Sequence, residues 1–286
     1  MIITIIINKQ KAFDIVGVFT DLDKNNFKLS QETRKKLLAV LSADLACNIN
    51  MLNGNAVYVV ESKELENRRR FPFGTNNLQI VTLGSGVVIS SSEYRMQWLL
   101  DNLGHLDRDN IFSASQICVI QQYVERDGQY IAGPDIKFVA DVNTFQPATN
   151  DSGLGLRIVH RDEIPDLYRY KGFSNALSYK CDTPRPDVLA CTAVSEGTVI
   201  GVAGASMDCE LMWQVGVDVI PEYRLRGIGK TLVSQLTAAI LAEGKIPYYS
   251  TFVANIASQR LAISLGYQPT WIEIYSRNAE ENHANA

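Results

Sequence analysis

The stretch VGVDVIPEYRLRGIGKTLVSQL, Val215 to Leu236, joins a β-branched alternating run to a long amphipathic run through one short loop with two glycines. Pro221 cannot donate to a ladder and ends the strand. Beyond the loop Ile228, Leu232, Leu236 and Ile240 recur every four residues, with Val233 and Ala239 beside them, so a helix follows. Gly244 fits its C′ stop. A strand, a loop and a helix in that order place unpaired backbone N–H groups at a helix N-terminus, where the dipole favours a phosphate. Gly227 and Gly229 let the backbone come close, and Arg224, Arg226 and Lys230 add positive charge. Two phosphate loops compete for this segment. Its end, Gly-Lys-Thr, is that of a nucleotide P-loop, but that motif needs a glycine five residues before Gly229, where Arg224 stands. Only about a helix, a strand, a helix and a strand remain downstream, too few for the sheet of an NTPase. The Arg-x-x-Gly-x-Gly reading, Arg224 to Gly229, fits better.

The rest of the chain narrows the classes. Its 286 residues suit two domains. A net charge of −4 argues against a protein that coats nucleic acid, and Arg68-Arg69-Arg70 reads as a solvated face. The five cysteines contain no CxxC pair and read as reduced thiols of a cytoplasmic protein. His105, His160 and His283 are too scattered for a metal site, so no metal is expected. The opening MIITIIINKQ lacks signal-peptide features, is too short to cross a bilayer and reads as a buried strand. No membrane partner is expected.

Residues 1–145 read as an α/β domain without recognisable chemistry. Ser30 and Thr33 cap a helix, NAVYVV and LQIVTLGSGVVIS are strands, the second broken at Gly84–Gly86, and EYRMQWLLDNLGHL is a helix. Thr144 to Gly155 is rich in Pro, Asn, Ser and Gly and reads as a linker. In residues 154–286 the order is the strand LRIVH, a helix starting at Asp162, a hairpin turning at Glu196-Gly197, the strand before the loop, its helix, the strand YYSTFV, a helix capped by Asn255 and stopped by Gly266, and the strand TWIEIYS, which closes the sheet. Residues 277–286 read as a frayed polar end.

The loop and this element order, from about Leu156 to Tyr275, resemble the GNAT N-acetyltransferase superfamily, down to the GYQPTWIEIYS ending. DVLACTAV and MWQVGVDV, behind a long N-terminal half, resemble a two-domain subgroup that includes antibiotic self-resistance acetyltransferases. The resemblance implies an α/β fold with a mixed, mostly antiparallel sheet flanked by helices. It implies acetyl-CoA as co-substrate and direct acetyl transfer to a small-molecule amine, and it leaves a homo-oligomer open. Arg224, Arg226, Gly227, Ile228, Gly229, Lys230 and Thr231 would hold the diphosphate. Val217 N–H would polarise the acetyl carbonyl, Val219 would bond the pantetheine arm, and Asn255 and Ser258 would lie beside the cofactor.

Two positions depart from the family. Gln214 stands near where several relatives carry a glutamate base, and Ala262 where many carry a tyrosine acid. An alkyl amine titrates near pH 10 and must lose a proton. Asp208, Glu210 and Asp218 are the candidate bases, and Ser258, Tyr267 or water the candidate acids. In this fold the acceptor lies against the first two helices and their loop, which here offer Tyr168, Tyr170, Phe173, Asn175 and Tyr179. With Asp208 and Glu210 they favour a cationic acceptor. The departures also keep open a non-catalytic acyl-CoA-binding or sensing protein.

Overall fold

The computed structural model describes residues 29–70, 78–149, 153–178 and 181–279. The opening apolar run, Tyr179, His283 and the last seven residues lie outside them. The first half contributes helices α1 (Gln31–Leu45), α2 (Ile49–Leu52), α3 (Met96–Leu103), α4 (Arg108–Ile111) and α5 (Ala114–Val124), and strands β1 (Val57–Glu61), β2 (Gln79–Thr82), β3 (Val87–Ser91) and β4 (Gln129–Val139). The second half contributes β5 (Gly155–His160), β6 (Asp187–Ser195), β7 (Thr198–Met207), β8 (Met212–Val219), α6 (Ile228–Ala242), β9 (Ile246–Phe252), α7 (Ile256–Ser264) and β10 (Gln268–Asn278).

Local signals account for many of these elements. Ser30 accepts from Thr33 N–H at the start of α1. Glu196 and Gly197 both take positive φ, +50° and +76°, as a two-residue hairpin turn requires. Asn255 caps α7 through Ser258 N–H. The helix expected from Asp162 is only a 3-10 segment, Ile164–Arg169, with Pro165 in its first turn and Gly172 at φ +90° soon after it.

All ten strands join one sheet, in the order β1-β3-β2-β10-β4-β9-β8-β7-β6-β5. β1–β3 and β8–β9 are parallel and the other neighbours antiparallel. The sheet therefore crosses the boundary drawn near residues 145–154. β4, from the first half, lies between β9 and β10. β10 does not close the sheet but sits inside it, because β2 pairs with its other edge.

The expected linker is strapped down as far as it is described. Gln146 N–H donates to Leu265 O (2.9 Å) and Ala148 N–H to Ser234 Oγ (2.8 Å). A Cβ on Gly266 would lie 1.9 Å from Thr144 O, so that close approach requires glycine. One core gathers α6, Ala262 of α7 and the inward side chains of β6, β7 and β8, while α1 covers Tyr248 and Trp271 in another.

Arg69 corrects the reading of its triplet as a solvated face. It is 1 % exposed, paired with Asp44 and Glu273 and stacked against Trp271 and Tyr248. Glu273 also pairs with Lys137 (2.8 Å), which donates to Ser250 Oγ (2.7 Å). These charges lie on α1, β4, β10 and the segment before β2, with Ser250 on β9, so they fasten the two halves together.

Candidate functional site

β8 and β9 pair only from Met212–Ile246 to Val215–Tyr249. β8 continues to Val219 beside β7, and β9 continues to Phe252 beside β4, so the two strands part. Ile220 N–H donates to Ile200 O and Ile246 N–H donates to Leu211 O. Strand alternation then turns the N–H groups of even-numbered β8 residues toward β7 and those of odd-numbered ones toward β9. Past Val215, the N–H groups of Val217 and Val219 face the gap.

The loop closes one end of this gap. Arg224 Nε donates to Val219 O (2.8 Å) and Arg226 stacks over the Tyr223 ring. Leu225 (φ +61°) and Gly227 (φ +81°) are left-handed, which turns the chain sharply into α6. The first helical bond runs from Thr231 N–H to Gly227 O, so the N–H groups of Ile228, Gly229 and Lys230 have no partner among the described residues. A Cβ on Gly227 would meet nothing within 4 Å, and one on Gly229 would lie 3.6–3.9 Å from Leu261, Val219 and Val217. The N-terminus of α6 thus opens toward the gap, with glycine backbone at its rim. Thr231 and Ile228 offer less than expected. The Thr231 hydroxyl turns back to Gly227 O, and the Ile228 side chain is buried in the core.

The candidate acids are all engaged. Asp218 accepts from Asn175 N–H (2.7 Å), Asn175 Nδ2 (2.7 Å) and Ala176 N–H (3.0 Å). Asp208 is 1 % exposed and accepts from Arg185, Ser206 and Tyr248. Glu210 lies at the surface on Lys245, whose hydrogen bond and charge hold its carboxyl below the usual range. Tyr267 is a core group bonded to Thr237 Oγ1 (2.6 Å), and burial pushes its phenol well up. Ser258 sits in the first turn of α7, its N–H donating to the Asn255 cap, and burial raises the phenol of nearby Tyr249.

The expected acceptor residues separate. Phe173 is 1 % exposed in a core with Val159, Ile164 and Leu177, so it packs rather than lines a pocket. Tyr170 lines a cavity of about 220 Å³ over the far strands β5 and β6, with Arg157, Glu163 and Arg169. Asn175 lies over β8 beside the gap, because Gly216 and Gly204 lack side chains. A Cβ there would come within 1.9 Å of Asn175 O and of Ala176 O. Gly216→Ala should therefore destabilise the protein by about 1–3 kcal/mol through overpacking and lift this turn. A melting temperature equal to the wild type would show that the turn is not seated there.

Sequence reasoning missed Arg185, Tyr248, Lys137 and Glu273 on the face opposite α6. Each stands in an unremarkable local pattern and acquires its partners only through the sheet.

Residues 158–267 match the model of the acetyltransferase (GNAT) family. No curated protein matches the chain. Among solved structures, a GCN5-related N-acetyltransferase-like protein from Streptococcus suis is 17 % identical, with a TM-score of 0.43, covering 57 % of this chain and 68 % of that one. A GCN5-related N-acetyltransferase from Kribbella flavida is 16 % identical, with a TM-score of 0.41, covering 55 % and 63 %. An aminoglycoside N-acetyltransferase in complex with CoA is 19 % identical, with a TM-score of 0.32, covering 41 % and 89 %. Residues 158–267 are thus similar to the acetyltransferase (GNAT) family, and their strands lie in a larger sheet that the first half of the chain completes.

Proposed function

We propose that this protein moves an acetyl group from acetyl-CoA to the amine of a small molecule, by direct transfer with both substrates bound. The parting of β8 and β9 directly ahead of the open N-terminus of α6 carries this reading. The N–H groups of Ile228, Gly229 and Lys230 suit a diphosphate, and the charges of Arg224, Arg226 and Lys230 reinforce them. Along β8, Val217 N–H would polarise a thioester carbonyl and Val219 N–H would bond the pantetheine arm. Acetyl-CoA when bound supplies the activated acyl group. The chain's own residues bind it, hold the acceptor nearby and take up no covalent intermediate. Because Asp208, Glu210 and Asp218 all hold other partners, water reaching the gap is left as the route by which the amine loses its proton.

That engagement of the acids favours one alternative, an acyl-CoA-binding protein that transfers nothing. Calorimetry with coenzyme A and with ATP-magnesium, followed by thiol release from acetyl-CoA across an amine panel, separates the cases. Coenzyme A binding with amine-dependent thiol release supports the transferase. Binding without release supports the sensor, and tight ATP-magnesium binding with no response to coenzyme A rejects both.

Gly229→Ala probes the loop cleanly. The new methyl meets protein atoms only at ordinary contact distance, and alanine favours a helix by up to about 1 kcal/mol. Melting should hold or rise, while coenzyme A affinity falls roughly tenfold or more as a charge-assisted hydrogen bond is lost. Unchanged affinity would place the diphosphate elsewhere.

A further inference from the structure

On the face opposite α6, the strands arrive at the gap through Gln214 of β8 and Tyr248 of β9, which are register partners one step before the ladder ends. Arg185 reaches this spot from the segment ahead of β6, which is anchored where Met207 N–H donates to Pro186 O (2.9 Å). Its Nε donates to Asp208 and its Nη2 to Gln214 Oε1 (2.8 Å). Asp208 and Gln214 are each also bonded by the Tyr248 hydroxyl. A guanidinium carries five N–H donors in a rigid fork. Nη1 has no partner among the described residues, and the side chain is 25 % exposed. Burial works against its charge, but Asp208 and Tyr248 outweigh that and raise the guanidinium's affinity for its proton.

We infer that Arg185 binds a carboxylate on the acceptor, which makes the acceptor an amine bearing its own carboxylate, as an amino acid does. The inference rests on the acyl-transfer reading above. The charges around Arg185 support it. Asp208 is committed to Arg185 and Tyr248, Asp218 to the turn at Asn175, Glu210 to Lys245, and Glu273 to Lys137 and Arg69. No carboxylate of this group is free to meet a polycation, and the guanidinium would repel one. A carboxylate, by contrast, gains charge-assisted hydrogen bonds from a fork already held in place, so little side-chain freedom is lost on binding. This revises the cationic acceptor expected from Asp208 and Glu210, because neither acid faces the gap unpaired.

The test compares matched amines by thiol release from acetyl-CoA: β-alanine against propylamine, lysine against cadaverine, with spermidine and kanamycin as polycations. In the wild-type protein the carboxylate-bearing member of each pair should be favoured roughly ten- to a hundredfold in kcat/KM. Arg185→Gln should erase that preference. Since Arg185→Gln leaves buried Asp208 without its cation, Arg185→Lys is the companion variant. It keeps the charge but loses the fork and should retain only part of the preference. Propylamine, cadaverine or a polycation used as well as the carboxylate-bearing amines overturns the inference. So does a preference that survives Arg185→Gln in a protein that melts like the wild type. Coenzyme A binding with no thiol release from any amine has a different signature, and it removes the transferase reading together with this one.

Discussion

Removing residues 1–153 should abolish the soluble fold rather than release an active domain. The truncated chain would lose β4, which pairs with β9 from Tyr248 to Phe252 and with β10 from Gln268 to Asn278. β9 would become a bare edge, and β10, which loses β2 as well, would keep no strand partner; exposed edges invite aggregation. Phe138, Val139 and Ala140 are each no more than 2 % exposed. Losing large buried side chains costs about 2–5 kcal/mol each, against a whole-domain stability of about 5–15 kcal/mol. The strap from Asp141 to Ala148 and its bonds to Leu265 and Ser234 would go as well. Expression of residues 154–286 alone should give aggregate or a chain without cooperative melting. Supplying residues 1–153 as a separate polypeptide should recover soluble protein. A cooperatively melting 154–286 fragment would show that the first half is an addition and not a component of the sheet.

What was legible in the sequence was local. The Ser30 and Asn255 caps, the Glu196-Gly197 turn and the strand–loop–helix around Arg224 to Thr231 each depend on residues within a few positions of one another. Their chemistry is the same wherever the element packs. The pairing of β4 between β9 and β10 was not legible, because alternation marks a strand without naming its neighbour. TWIEIYS reads equally well as an edge strand or an interior one. The same limit hid the charges. Arg69 meets Glu273 across 204 residues, and nothing near either position marks them as partners. In the candidate site, the side proposed for the cofactor was readable because one contiguous loop builds it. The side proposed for the acceptor was not, because Asn175, Arg185, Gln214 and Tyr248 come from four separate segments. The helix expected at Asp162 failed for a smaller reason. Pro165 suits a first turn, but the segment unwinds after Arg169 and Gly172 turns left-handed.

Glu273→Gln should be among the most destabilising single substitutions in the protein. Glu273 is 2 % exposed, accepts from Trp271 Nε1 (3.0 Å) and Arg69 Nη2 (3.0 Å), and is ion-paired with Lys137 Nζ (2.8 Å). The amide keeps the shape but leaves two buried cations short of one negative charge. Breaking a buried pair in this way costs about 3–5 kcal/mol. For a protein of this size that is a fall in melting temperature of roughly 6–20 °C. The pH dependence supplies a second reading of the same residue. Burial alone would raise the Glu273 carboxyl, but Lys137 and Arg69 outweigh it and bring it from an ordinary 4.5 down to about 2. A carboxyl whose folded value lies below its unfolded one adds stability that is complete above the unfolded value and disappears as pH falls toward the folded one. The wild type should therefore lose this contribution between about pH 4.5 and 2. Glu273→Gln should start lower at neutral pH and converge on the wild type through that window. Urea unfolding of both proteins at pH 7, 4 and 3 checks the sign. Equal stability at pH 7, or a gap that widens on acidification, would mean that Glu273 does not hold the two cations in the folded protein.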